Sequence, residues 1–168
     1  MWQIVLLIVL FPIFLGDLKV DDQKLAEFLQ KIKMLESSNG KDLNHKQVES
    51  GIQAGDSAYG SYGLMPNTIQ ELVNRSRINH HMDKDYQNIY NQDPESVKTI
   101  LSARPDLEER LAKELAQKVM NNSNGDEENA AYRWKMGHNR PPGSVSPEDL
   151  NNNDYIKKFR ALKEKLGN

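Results

Sequence analysis

The chain has no cysteine among its 168 residues. Disulfides therefore play no part in the fold, and a chain of this length can bury a core without them. The absence fits a reducing compartment and equally an exported protein held together by packing, so it leaves the compartment open. Runs of lysine or arginine are also missing, and 22 basic against 24 acidic side chains give a formal net charge of -2. Neutralising a phosphate backbone takes clustered cations, which argues against nucleic acid as the main partner. Metal-binding side chains are few. His45, His80, His81 and His138 show no i, i+4 pair, and adjacent His80-His81 cannot readily converge on one ion from a helix. No metal or other cofactor is expected.

Long hydrophobic runs are scarce as well. From Trp2 to Leu15 the chain is apolar apart from Gln3, and the first ionisable side chain is Asp17. This run is shorter than the roughly 20 residues of a spanning helix. No basic side chain precedes it, and Phe14 is bulky where a signal cut after Gly16 would favour a small residue. Residues 1–16 read as a membrane anchor or inserting segment, or else as a cleaved, signal-like segment; a buried core helix is the remaining alternative. Both leading readings place residues 17–168, a single domain, outside the cytoplasm or at its boundary.

Beyond that head the periodicity is helical. From Leu18 to Glu36 the residues Leu25, Phe28, Leu29, Ile32 and Leu35 recur at helical spacing, with Lys24, Glu27, Lys31 and Lys33 on the other side. Between Gly40 and Gly63 the pattern breaks into glycine, serine, asparagine and aspartate, which predicts loops or a small, weakly paired hairpin. Pro66 suits the first turn of a helix running to about Arg77, with Ile69, Leu72 and Val73 on its buried face. Asp93-Pro94 opens a short helix ending near Ala103. Pro105 opens a longer one through Leu107, Leu111, Leu115 and Val119, which Asn121 to Gly125 stop. Another carries Ala130, Ala131 and Trp134 and closes at Gly137; Asn139 to Asn153 reads as an extended crossing; Tyr155, Phe159 and Leu162 lie on a last helix. The fold class is mainly α, without repeats.

Glu36 has the most suggestive surroundings. It ends the first helix, ahead of the polar turn Ser37-Ser38-Asn39-Gly40 and the glycine-rich segment from Ala58 to Thr68. A carboxyl group at the edge of an apolar helix face can keep its proton through desolvation, as a general acid for breaking glycosidic bonds must. The plain alternative is a solvated helix-end glutamate. Gly60 and Gly63 allow the backbone close to a flat ring or into positive φ. Met65 either offers a polarizable surface to substrate or packs under the next helix. Tyr62 either stacks on a sugar or forms an ordinary wall. Asp56 either orients water or sugar, or caps a turn between Gly55 and Ser57. On spacing alone Tyr132 is a helix-core aromatic, and His45 is either a groove residue or a solvated loop histidine.

Three stretches then fall in a telling order: Glu36-Ser37-Ser38-Asn39 at a helix end, Tyr62-Gly63-Leu64-Met65-Pro66-Asn67-Thr68 before another helix, and Ala130-Ala131-Tyr132 in a late one. This set resembles the soluble lytic transglycosylases and goose-type lysozymes. Tyr155-Ile156-Lys157-Lys158 is similar to the tyrosine-led start of their closing helix, so the likeness covers about Leu18 to Leu166. The resemblance implies a lysozyme-like helical domain with a small loop or β-hairpin region after the catalytic helix and a substrate groove. It assigns the acid/base role to Glu36, sets Met65 against an N-acetyl group, and directs the Tyr132 hydroxyl toward the catalytic carboxyl. Asp56, Tyr62, Gly63, Met65 and Tyr132 are thus the expected substrate-binding residues. Two departures stand out: Met65 runs straight into Pro66 where the family has a substrate-binding glutamine, and Arg133 stands where an asparagine commonly follows the tyrosine.

The implied activity is a peptidoglycan lytic transglycosylase cleaving the β-1,4 bond between N-acetylmuramic acid and N-acetylglucosamine with formation of a 1,6-anhydro ring. One carboxyl group suffices for this. A muramidase that hydrolyses the same bond by inversion would need a second carboxylate, for which Asp42, Glu49 and Asp56 are candidates. A non-catalytic glycan-binding or structural protein is the third reading. The expected partners are peptidoglycan strands, and a membrane through residues 1–16, in a cell envelope or in a phage virion or infected-cell envelope.

Overall fold

The computed structural model describes residues 20–43, 45, 58–79 and 82–167. The apolar segment 1–16 and Asp56 lie outside the described residues, as does most of the loop in which a hairpin was expected. Among the described residues eight helices follow in order: α1 Asp22–Ser37, α2 Pro66–Ile78, α3 Lys84–Ile89, α4 Pro94–Ala103, α5 Pro105–Asn122, α6 Glu127–Met136, α7 Pro147–Asn152 and α8 Asp154–Leu166. The protein is mainly α. Among the described residues, β structure amounts to one antiparallel bridge, Tyr59 with Leu64, and no helix is long and apolar enough to cross a membrane.

Local chemistry sets the helix ends. Pro66, Pro94, Pro105 and Pro147 each open a helix, where a missing amide hydrogen costs nothing. Asp21, Asp83, Asp93, Asp126, Ser146 and Asn153 cap six helices, α4 and α7 among them, by accepting first-turn amides. The Asp21 cap starts α1 at Asp22, later than the apolar pattern at Leu18 suggested. The expected extended crossing from Asn139 to Asn153 contains α7, which closes on itself through a capping box between Ser146 and Asp149. The short α3 lacked a predicted counterpart, because 6 residues hold too little periodicity to read.

Helices α1, α5, α6 and α8 enclose the main core. Phe28 of α1 is fully buried, with its ring 6.3 Å from Trp134 of α6 and 6.2 Å from Phe159 of α8. Lys31, placed on the polar side by its sequence position, is in fact 2 % exposed, because α6 and α8 close over it. Its ammonium is matched by Glu127 at 3.0 Å, and Lys163 reaches the other oxygen of that carboxylate at 3.2 Å. A buried cation persists only with such a partner. Arg133, also fully buried, donates from Nε to Asn129 Oδ1 at 2.7 Å and from Nη2 to the Pro141 carbonyl at 2.9 Å, and binds the Arg140 carbonyl. It ties the segment after α6 back onto the helix.

A second polar cluster joins α2, α5 and that segment. Glu71 accepts from Lys118 at 2.5 Å, from Asn139 at 2.6 Å and meets the His138 ring at 2.8 Å. Burial raises the Glu71 carboxyl, but these donors together outweigh it and hold it at about 2. Burial likewise lowers His138 from its ordinary 6.5, against the attraction of Glu71.

Two outcomes follow. Phe28→Ala should lower unfolding free energy by about 3–5 kcal/mol in urea titrations, the usual cost of deleting a buried aromatic ring. Both depressed groups bind protons more readily when unfolded, so their stabilisation is present above the unfolded values and lost on acidification. Stability should therefore fall first below the 6.5 of a free histidine and again from 4.5 toward 2. Glu71→Gln should flatten the second decline in denaturation midpoints measured across that range.

Candidate active site

Helix α1 ends in three consecutive residues with positive φ, Ser38, Asn39 and Gly40. The Ser38 amide bonds the Met34 carbonyl at 3.1 Å and the Asn39 amide the Lys33 carbonyl at 3.2 Å, so the last turn closes without a further helical residue. Glu36 is thereby held one turn short of the reversal, facing the segment Tyr59 to Leu64. That segment is a tight hairpin closed by reciprocal bonds of 2.8 and 3.0 Å between Tyr59 and Leu64.

Its backbone is anchored at three consecutive carbonyls between the two ends. Gly60 O meets the His45 ring nitrogen at 2.7 Å, Ser61 O accepts from the Ser37 hydroxyl at 2.7 Å, and Tyr62 O accepts from the Trp134 indole at 3.3 Å. The Tyr62 amide donates to Glu108 Oε1 at 3.0 Å. Burial raises the Glu108 carboxyl, against the hairpin amides of Tyr62 and Ser61 that favour its charged form. Buried backbone groups must be paired, and here four different elements supply the partners.

Two glycines make this approach feasible. Gly60 has φ +66°, and a Cβ on it would stand 2.3 Å from the Glu108 carboxyl carbon. Gly63 has φ +63°, and its Cβ would stand 2.6 Å from Glu36 Oε2. The hairpin is thus pressed between two carboxyl groups; a side chain at either glycine would sit in strained left-handed backbone and push the carboxyl away.

The Glu36 side chain is 6 % exposed. Lys135 of α6 brings its ammonium to 3.3 and 3.5 Å from the two oxygens. Tyr155 of α8 faces the same carboxyl. Its hydroxyl is buried and makes no hydrogen bond of regular geometry. Burial, then the charge of Glu36 and the hydroxyl's interaction with that carboxylate, hold the phenol well above its ordinary range, so it stays protonated as a donor. A carboxyl group nearly out of water, with a phenol beside it and an ammonium on its solvent side, can exchange a proton with an oxygen that takes the place of the ammonium.

No protein-family model, curated protein or solved structure matches the chain.

The expected site residues are distributed unevenly around Glu36. Gly63 touches it. Met65 is half-buried at the N-cap of α2, two residues on. Tyr62 is 7 % exposed with Lys33 5.3 Å from its ring centre, which leaves little of its face for a sugar. Burial, followed by the charges of Glu109 and Glu108, pushes its phenol to about 12. Tyr132 is 5 % exposed, its ring lies under the Arg140 guanidinium at 5.4 Å, and it makes no hydrogen bond to Glu36. The phenol beside the carboxyl is Tyr155 instead. Asp56 lies outside the described residues, and His45 serves the hairpin backbone. Among the described residues no group of three His, Cys, Asp or Glu side chains is placed to hold a metal.

Sequence reasoning missed Tyr155, Lys135 and Glu108 as parts of this region. Tyr155 carried a signal in the tyrosine-led start of the last helix, whereas Lys135 and Glu108 sit at ordinary surface-type positions of their helices. Behind the hairpin a cavity of about 340 Å³ is lined by His45, Tyr59, Gly60, Leu101 and Glu108, among others; Glu36 is not in its wall.

Gly63→Ala is expected to lower stability by about 1–2 kcal/mol, the cost of a side chain in left-handed backbone, and to push the Glu36 carboxyl off its position. Chemical denaturation together with a crystal structure of the variant would check both effects.

Proposed function

We propose that the protein is a peptidoglycan lytic transglycosylase in which Glu36 is the acid and then the base. One observation carries this reading: the Glu36 carboxyl is almost removed from water, with the Gly63 backbone against one side and a buried phenol that faces only this carboxyl at another. The mainly helical architecture, with a glycine hairpin docked on the helix that ends in Glu36, supports a lysozyme-like domain.

In this reading Glu36 gives its proton to the glycosidic oxygen between N-acetylmuramic acid and N-acetylglucosamine as the bond to the muramoyl C1 breaks. The carboxylate left behind removes the proton of the muramoyl 6-hydroxyl, whose oxygen closes on C1 to form the 1,6-anhydro ring. Proton and leaving group balance through one residue. The Tyr155 hydroxyl, lacking another partner, donates to the carboxylate formed midway, when its negative charge is greatest. Residues 1–16 would hold this domain at a membrane of a cell envelope, or of a cell infected by a phage.

Glu36→Gln should reduce muropeptide release from purified sacculi by about 100-fold or more while sacculus binding persists, since an amide cannot act as the acid. Unchanged turbidity loss would remove Glu36 from the mechanism. Tyr155→Phe should slow release roughly tenfold, the worth of a hydrogen bond to a charged group, with Tyr132→Phe having much less effect. Mass spectrometry of the wild-type products should show anhydromuramoyl ends; reducing ends would mean hydrolysis.

A further inference from the structure

Lys135 touches the carboxyl group to which the glycan reading assigns the chemistry, yet neither proton transfer of that reaction calls for an ammonium. It is the exposed member of the pair, at 49 % against 6 % for Glu36. Its position within 3.5 Å of both oxygens, and 5.4 Å from the centre of the Tyr155 ring, puts it on the solvent side of the carboxyl. From α1 comes Glu36 itself, from α8 Tyr155, from α6 Lys135, and from the hairpin the uncharged backbone of Gly63.

A glycosidic oxygen that reaches Glu36 has to take the place of this ammonium. Breaking this hydrogen-bonded ion pair leaves a desolvated carboxylate without its cation, which favours uptake of the proton that Glu36 then gives as the acid, and it leaves the ammonium in want of a partner. A neutral glycan offers the displaced ammonium hydroxyl and amide oxygens but no opposite charge. A glycan with a carboxylate on the muramoyl side arm offers it a replacement, so one ion pair is exchanged for another.

We infer that Lys135 is a specificity-determining residue, which passes from Glu36 to a side-arm carboxylate of the substrate and so favours carboxylate-bearing glycans over neutral ones. The inference rests on the reading of Glu36 as the acid of a glycan-cleaving site. The carboxylate has two sources, the lactyl group of strands stripped of peptide and the stem peptide of intact strands.

Kinetics on three soluble ligands test it: peptide-free glycan strands, strands bearing stem peptides, and neutral N-acetylglucosamine oligomers used as inhibitors. For Lys135→Met, KM for a carboxylate-bearing strand should rise about threefold and the inhibition constant of the neutral oligomer fall about threefold, as suits a half-exposed ion pair, with kcat changing less than either. Lys135→Arg should restore wild-type values. The strand whose KM rises identifies the carboxylate. Constants that move in the same direction, or do not move, overturn the inference.

A water-soluble carbodiimide, which condenses a carboxyl group with an amine in contact with it, supplies a readout without glycan. It should join Glu36 to Lys135 in the free protein, detectable as a crosslinked peptide by mass spectrometry and absent from Lys135→Met. No such crosslink would dismiss the resting pair and the exchange with it. A wild type that forms the crosslink but releases no product from either strand would instead sink the glycan reading.

Discussion

The docking of the Tyr59–Leu64 hairpin onto the end of α1 is the contact on which the rest of the site depends. Ser37 makes it, with a hydroxyl that donates to the Ser61 carbonyl while accepting from the Gly40 amide at 2.7 Å. One small side chain therefore stitches the helix terminus, the turn after it and the hairpin into a single piece. Trp134 and Glu108 bind the same hairpin from α6 and α5, so its backbone is satisfied only when three helices are already in place. The position of Glu36 is in this sense a property of the whole core.

Burial of charge is handled the same way throughout the molecule. Lys31 is enclosed with Glu127, Arg133 with backbone carbonyls and Asn129, Glu71 with Lys118, His138 and Asn139, and Glu108 with hairpin amides. Each group removed from water has its hydrogen bonds made good nearby, which is the condition for keeping it there. Tyr155 breaks the pattern. Its buried hydroxyl makes no bond of regular geometry and has only Glu36 to turn to, the one carboxyl whose charge would change in an acid–base reaction. A donor aimed at that carboxyl alone is what its charged form can use.

Much of the helical frame was legible because its signals are local. Pro66, Pro94 and Pro105 marked true helix starts, and Gly137 a true end, since a proline nitrogen or a positive-φ glycine acts through its own backbone. Where two local signals competed, composition misled: the Pro, Gly and Asn content after Gly137 suggested an extended crossing, although Ser146-Pro147-Glu148-Asp149 is itself a helix start. Lys31 was misplaced for a different reason. Its polarity pointed to solvent, but the face it occupies is covered by helices that begin far along the chain.

The amino-acid order by itself determined the helix ends, the α1 stripe that carries Phe28 to the core, and the glycines that allow positive φ beside Glu36, because each depends on side chains within a few residues. Only the tertiary structure decided which phenol and which cation meet that carboxyl. Lys135 lies 99 residues from Glu36, and Tyr155 farther still. Tyr132 and Tyr155 look alike in sequence, each near an alanine or isoleucine on a late helix; the packing of α6 and α8 buries the first under Arg140 and turns the second toward Glu36. No spacing rule carries that choice, since it is made by how α6 and α8 pack against each other and around α1.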